Sequence, residues 1–293
     1  MNLKETSLAI TACLLWSSAF VLVKFGLRDA PPFLFGGARF ILAGVMLFPL
    51  VRSWRRAFCD IRGNYRLFIA TSLFQTLFLY GLFFIAMQYV RGAQASIIIG
   101  SSPVVSAIVA HIMQKNDKMN LKTTLAMLLG VLGVTVITLS SKPWSGETGF
   151  AEFAGIILLL LGSVSSAVAN VVVSKSDGKV NPITLNGVQM FLGGVLLFLI
   201  GLIVETPPSS VPSAGFWWVL AGLSFISASG FTIWFYLLKR IKVSKLNTWK
   251  FLIPVGGSIL SWCFLPGEHP EITGIIGIVL VCSAIFLCQR PQK

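Results

Sequence analysis

Ten stretches of mainly apolar residues divide this sequence, each about as long as the ~20 residues a helix needs to cross the hydrocarbon of a bilayer. They run roughly over 6–27, 31–50, 67–88, 92–113, 123–141, 152–173, 183–204, 215–238, 244–265 and 271–289. The connections are short. Pro31-Pro32, Pro182, Pro207-Pro208 and Pro212 fall at helix starts or in loops, where proline is tolerated. No gap between the runs has room for a soluble domain. Thr6 to Leu27 is longer than the apolar region of a secretory signal, and no small-residue cleavage site follows it, so a retained first helix is expected.

The charges fall between the runs. Only 11% of the chain is charged, against about 25% in a soluble protein. The net charge of +13 would suggest nucleic acid in a soluble chain; here it sets orientation in a membrane, and no nucleic-acid partner is expected. With the N-terminus inside, the inner connectors and termini carry 17 Lys and Arg, the outer ones carry 3, and Lys24, Arg39 and Lys250 lie within helices. That asymmetry predicts a multi-pass protein of the cell membrane with both termini cytoplasmic. The five cysteines show no CxxC spacing and no partnering histidines, so neither a metal site nor a disulfide framework is expected, and no cofactor.

The chain repeats itself. Residues 32–48 align without gaps on 182–198, with Pro32/Pro182, Gly37/Gly187 and Gly44/Gly194 in register. Two proline-bearing apolar runs repeat as well: Asn247 to Trp262 around Pro254, and Ser96 to His111 around Pro103, 151 residues earlier. Each proline lacks an amide hydrogen and is expected to break its helix within the span, leaving a carbonyl for protein or a water-filled cavity to satisfy. The expected fold is therefore all-α: ten transmembrane helices in two inverted five-helix repeats, residues 1–141 and 152–289, forming one membrane domain. Inverted repeats place a substrate site at their interface.

Ten helices in 5+5 repeats, the early Leu15-Trp16-Ser17-Ser18, the mid-helix Arg39, the Pro103-Val104 helix and the run Phe251-Leu252-Ile253-Pro254-Val255 resemble the drug/metabolite transporter superfamily, EamA branch. Gly267-Glu268 matches the Gly-Glu that ends the ninth helix in that family. The fourth helix departs from it, ending in His111-Ile112-Met113-Gln114-Lys115, and Ile253 stands where a Glu often precedes the ninth-helix proline. The resemblance implies export of small metabolites, often amino acids or related compounds, with a cavity walled by helices one, three, four, six, eight and nine. On those helices the candidates for substrate contact are Trp16, Tyr80, Ser96, Asn170, Trp234, Tyr236 and Lys250.

Arg39 stands out without the resemblance. It lies about 12 Å from the outer end of its helix, a depth at which a charge faces the bundle interior or a cavity. It either pins the structure through backbone carbonyls and hydroxyls or meets the substrate. Its repeat partner, Gln189, is uncharged. Lys250 either snorkels to the cytoplasmic interface or lines the pathway. No Asp or Glu lies deep inside any of the ten runs, whereas proton-driven carriers rely on intramembrane carboxylates or histidines. The buried charges favour an anionic group on the substrate and transport down the substrate's own gradient, with Lys250 the one group able to carry a proton. The expected partners are a small-molecule substrate and the bilayer, for a monomer or homodimer. A lipid or lipid-linked-sugar flippase is the alternative. An intramembrane enzyme lacks its nucleophile–base pair or metal cluster: there are two scattered histidines and no HExxH or GxSxG.

Overall fold

The computed structural model describes residues 1–90, 95, 98–139, 150–176, 180–206, 212–264 and 272–289, and every regular element among them is helical. In order these are α1 (Leu3–Gly26), α2 (Pro32–Leu47, continued by a 3-10 turn Phe48–Leu50), α3 (Trp54–Gly63), α4 (Tyr65–Ala86), α5 (Ser102–Met113) and α6 (Leu121–Leu139). Then follow α7 (Phe150–Ser174), α8 (Pro182–Val204), α9 (Ala214–Leu238), the short α10 (Val243–Asn247), a 3-10 stretch Thr248–Phe251, α11 (Leu252–Phe264) and α12 (Ile272–Gln289). Among the described residues, six segments are long and apolar enough to cross a bilayer: Pro32–Leu50, Tyr65–Ala86, Phe150–Ser174, Pro182–Val204, Ala214–Leu238 and Ile272–Gln289. Leu125, Leu128 and Leu132 on α6 and Ile275, Val279 and Phe286 on α12 are exposed, which suits a lipid solvent.

Particular residues start several of these helices. At α1, Asn2 and Glu5 form a reciprocal capping box: the Glu5 amide donates to Asn2 Oδ1 at 2.8 Å and the Asn2 amide to Glu5 Oε2 at 3.0 Å. Proline opens α2 and α8, where its missing N–H is no loss. The first-turn amides of α2 are taken from far along the chain: Phe33 and Leu34 donate to the two carboxylate oxygens of Glu205, at 2.8 and 2.9 Å. Glu205 is the C-cap residue of α8. Asn181 and Ser213 cap α8 and α9 locally.

The helices pack in reciprocal pairs. α2 lies along α8, and α6 along α12. α1 packs on α9 and α11, while α7 packs on α4 and α5; α2 also touches α9, as α8 touches α4. Glycines let the α2–α8 backbones meet. A Cβ on Gly44 would sit 2.7 Å from the Gly187 carbonyl oxygen, and one on Gly194 would sit 2.7 Å from the Ile41 nitrogen. On α6, a Cβ at Gly133 would come within 2.8 Å of the Gly277 oxygen. Without a hydrophobic drive between helices in lipid, such close backbone packing supplies much of the association.

Three local features differ from the sequence expectation. Residues 51–66 are not all loop: Ser53 caps α3, on which Trp54, Ala57, Phe58 and Ile61 recur at helical spacing among charged residues. Within α4, Ser72–Phe78 is a π-helical segment. The prolines do not sit mid-helix either. Pro103 is the second residue of α5 and Pro254 the third of α11, so each opens a fresh helix and the interruption lies just before it. Proline tolerates a first turn and not an interior, and the chain therefore restarts its helix at each one.

Gly44→Ala should lower thermal stability by about 1–3 kcal/mol, because the added methyl meets backbone that cannot rotate away. Gly257, around which a Cβ meets nothing within 4 Å, is the control. Gly257→Ala should be neutral or stabilising by up to ~1 kcal/mol. Thermal unfolding in detergent micelles compares the two.

Candidate functional site

A cavity of about 230 Å³ lies among α1, α2, α4, α7 and α9, with contributions from α5 and from the Lys250 interruption. Its wall is mostly apolar and aromatic, including Phe35, Phe83, Phe84 and Phe231. The polar groups facing it are few: Trp16, Arg39, Gln75, Tyr80, Lys250 and the hydroxyls of Ser102, Ser163 and Ser166. Among the described residues, no Asp or Glu lines it.

Arg39 is buried at mid-length of α2, held by α9 at two points. Its Nε donates to Ser227 Oγ at 2.8 Å, and Ser224 Oγ donates to the Arg39 carbonyl at 3.0 Å. The guanidinium carbon stands 5.2 Å from the Phe40 ring centroid. Nε is thus committed to α9, while the terminal nitrogens make no hydrogen bond among the described residues and belong to a side chain that lines the cavity. Gln189, aligned with Arg39 in the sequence repeat, has both polar atoms engaged inside the bundle. Gln189 Oε1 accepts from Thr76 Oγ1 at 2.7 Å, and Nε2 donates to Asn186 Oδ1 at 2.9 Å.

Lys250 also lines the cavity. Its ammonium sits 5.1 Å from the ring centroid of the buried Trp234, a cation–π contact, rather than reaching along the helix to the interface. The 3-10 stretch carrying Lys250 is held by α1. Cys13 Sγ donates to the Trp249 carbonyl at 3.2 Å and Ser17 Oγ to the Ile253 carbonyl at 3.0 Å. Donors four apart on α1 meet acceptors four apart across the interruption, so backbone oxygens beside the break are satisfied by protein. At the far end of α10, the buried Asp117 takes the Ser244 amide at 2.9 Å and also the Ser244 hydroxyl.

Trp16 forms an aromatic wall, with its ring 5.1 Å from both Phe231 and Trp234. Its Nε1 is buried without a hydrogen-bond partner among the described residues. Tyr80 packs 4.4 Å from Phe40.

Four of the sequence candidates therefore come together at one cavity: Trp16, Arg39, Tyr80 and Lys250. Trp234 stands behind Trp16 and Lys250 as support. Two are placed elsewhere. Asn170 continues the α7 stripe of Leu159, Ser163 and Ser166, but one turn farther on α10 crosses over it, and its amide donates to Asn247 Oδ1 at 3.3 Å. Tyr236 is five residues beyond Phe231, about 140° around the helix, and stacks beneath Arg240 instead. Ser96 lies outside the described residues.

Sequence reasoning missed Gln75. Its side chain is 2% exposed, its Nε2 reaches Ser166 Oγ at 3.4 Å, and its Oε1 has no partner among the described residues. The π-helical segment places it there, since an extra residue per turn shifts the register of the helix face, and such segments recur at functional sites. The widened turn is tied down by Ser165 Oγ, which donates to the Phe74 carbonyl at 2.7 Å. A buried glutamine in an apolar run was the available signal.

The model of the EamA-like transporter family matches the chain twice, over residues 3–139 and 153–289. The chain belongs to the EamA-like transporter family. It is 28% identical over 280 residues to the uncharacterized transporter YoaV of Bacillus subtilis (strain 168), covering 95% of this chain and 94% of that protein. A second transporter of that organism, YvbV, is 26% identical and covers 96% and 90%. An uncharacterized transporter of Archaeoglobus fulgidus is 25% identical over 301 residues, covering 100% and 99%. One solved crystal structure superimposes with a TM-score of 0.84 over 99% of this chain and 97% of its own, at 18% identity, a likeness of fold. An EamA-family chain with several apolar spanning helices is a multi-pass membrane protein, and the family and relatives' names indicate a transporter rather than an enzyme.

Removing the Ser227 hydroxyl leaves a buried charged donor unpaired. Ser227→Ala should cost about 1.5–3 kcal/mol in detergent melting. Ser283→Ala, on the exposed face of α12, should stay within about 0.5 kcal/mol.

Proposed function

We propose that this EamA-family chain exports a small carboxylate-bearing metabolite, an amino acid or related compound, by alternating access through the central cavity. The observation that carries this reading is the charge content of that cavity: Arg39 and Lys250 line it and, among the described residues, no carboxylate does. A substrate anion would neutralise them. Arg39 is the primary contact, because its guanidinium fork matches a carboxylate in two-point geometry. Gln75 Oε1 would accept from a donor elsewhere on the substrate, and Trp16, Phe231 and Tyr80 would pack its apolar part.

The cavity lies between two inverted five-helix repeats, 1–141 and 152–289, in a ten-span chain with both termini in the cytoplasm. The reciprocal packing and the double family match support the repeats; the skewed distribution of Lys and Arg supports the orientation. Transport follows the substrate gradient by facilitated diffusion or exchange.

Counterflow of an amino-acid and carboxylate panel in proteoliposomes tests the function. At least one carboxylate should exchange, and Arg39→Ala should reduce that exchange at least a hundredfold while the protein remains folded. Normal exchange by folded Arg39→Ala, or exchange confined to cations, refutes the reading. In the same vesicles, a pH gradient with the membrane potential clamped and no substrate gradient should drive no accumulation.

Orientation is tested separately, by labelling single cysteines in a cysteine-free background. Arg56→Cys should react only from the inside and Gly146→Cys only from the outside; equal external labelling of both defeats the inverted arrangement.

A further inference from the structure

A second cavity, about 1070 Å³, opens where α3, the start of α8 and the end of α9 meet. It shares no lining residue with the central one. Among the described residues, Arg52, Arg56, Lys239 and Arg240 line it against a single carboxylate, Asp60. Lys239 donates to the Val180 carbonyl, and burial holds its ammonium below the usual lysine range while Asp60 pulls the other way. The Arg240 guanidinium carbon stands over the Tyr236 ring, 4.4 Å from its centroid. Among the described residues, Arg52, Arg56 and Arg240 form no ion pair. The first turn of the 23-residue α8 faces the same space through Thr184, adding the positive end of a helix dipole.

The surroundings say what kind of anion this space suits. α3 joins two apolar spans and is amphipathic, with Arg56 on the pocket side. The same helix exposes Trp54 at 49% and Phe58 at 70%. A short helix with basic residues on one side and bare aromatics on another is the pattern of a helix lying in a membrane interface. Basic pockets between transmembrane helices hold anionic headgroups.

We propose that this pocket binds the phosphate of an anionic phospholipid headgroup, while Trp54 and Phe58, on the other side of α3, seat that helix in the membrane interface. Its level at the membrane surface rests on the spanning arrangement proposed above; the pocket and its charges do not. The lining comes from both regions matched by the family model, so a bound lipid would bridge the two halves of the transporter.

Native mass spectrometry of the full chain in detergent, titrated with dioleoyl-phosphatidylglycerol or dioleoyl-phosphatidylcholine, tests this without any transport assay or knowledge of the cargo. The wild type should prefer the anionic lipid at least tenfold. Arg52→Gln/Arg56→Gln/Arg240→Gln should weaken its binding by roughly a hundredfold, and Arg240→Gln alone, which leaves α3 untouched, by several-fold. Lys4→Gln/Lys115→Gln/Lys242→Gln removes the same charge elsewhere and should bind like the wild type. Undiminished binding by the first triple variant, or equal loss in the second, overturns the proposal. Glycerol 3-phosphate at millimolar concentration should not displace the lipid; if it does, the pocket is a site for soluble phosphate esters and the lipid assignment falls.

Discussion

The structure depends on one requirement: every backbone polar group within the apolar spans must find a partner in the protein. The critical place is the interruption between α10 and α11. The chain tightens there into a 3-10 stretch and restarts its helix ahead of Pro254. Two small donors on α1, Cys13 and Ser17, make the interruption tolerable by reaching the Trp249 and Ile253 carbonyls. The fit leaves no spare room: a Cβ on Gly256 would come within 2.5 Å of Ser17 Oγ. Lys250 is aimed at the cavity because the backbone on either side of it is held in this way. An unsupported kink would let the same side chain swing towards the interface.

Much of this was legible from composition and spacing. Helix limits follow from apolar runs bounded by proline and charge, and most described ends fall within a few residues of those expectations; α5 and α11 start later, at Ser102 and Leu252, because the helix restarts at a proline. The glycines in register marked a repeat in the sequence; in the structure Gly44 and Gly194 are also where the α2 and α8 backbones meet. What was not legible depended on register inside a helix or on an element crossing from elsewhere. The π-helical turn that brings Gln75 to the cavity has no local sequence signature. Asn170 lies on the expected stripe of α7, yet α10 covers it, a fact of the tertiary fold. Tyr236 is on the expected helix but turned away on it: five residues of rotation beyond Phe231 send it to the pocket beside α3. α3 resembles a connector in sequence because its ten residues carry mixed charge, and only its helical spacing of apolar residues marks it as an element.

The same family model matches both halves of the chain and their helices pack in reciprocal pairs, yet their chemistry differs. Arg39 and Gln189 occupy corresponding positions, but Gln189 is absorbed by Thr76 and Asn186 whereas only Nε of Arg39 is tied, to Ser227. A framework with near-symmetric packing therefore carries a polar site with a definite sidedness. The asymmetry rests on a handful of hydroxyls and amides rather than on the path of the chain. In lipid, where apolar contact discriminates weakly between helix faces, such polar contacts fix which way each helix is turned.

The Glu205 cap on α2 bears on how the protein is made. The first-turn amides of α2 wait for a carboxylate 172 and 171 residues downstream. During synthesis α2 enters the membrane long before residue 205 leaves the ribosome, so its N-terminal turn remains hydrated at the interface through that interval. Completion of α8 and closure of α2 are then one event, with the late helix finishing the early one. The nascent first half has a built-in reason to stay loosely seated until its counterpart arrives.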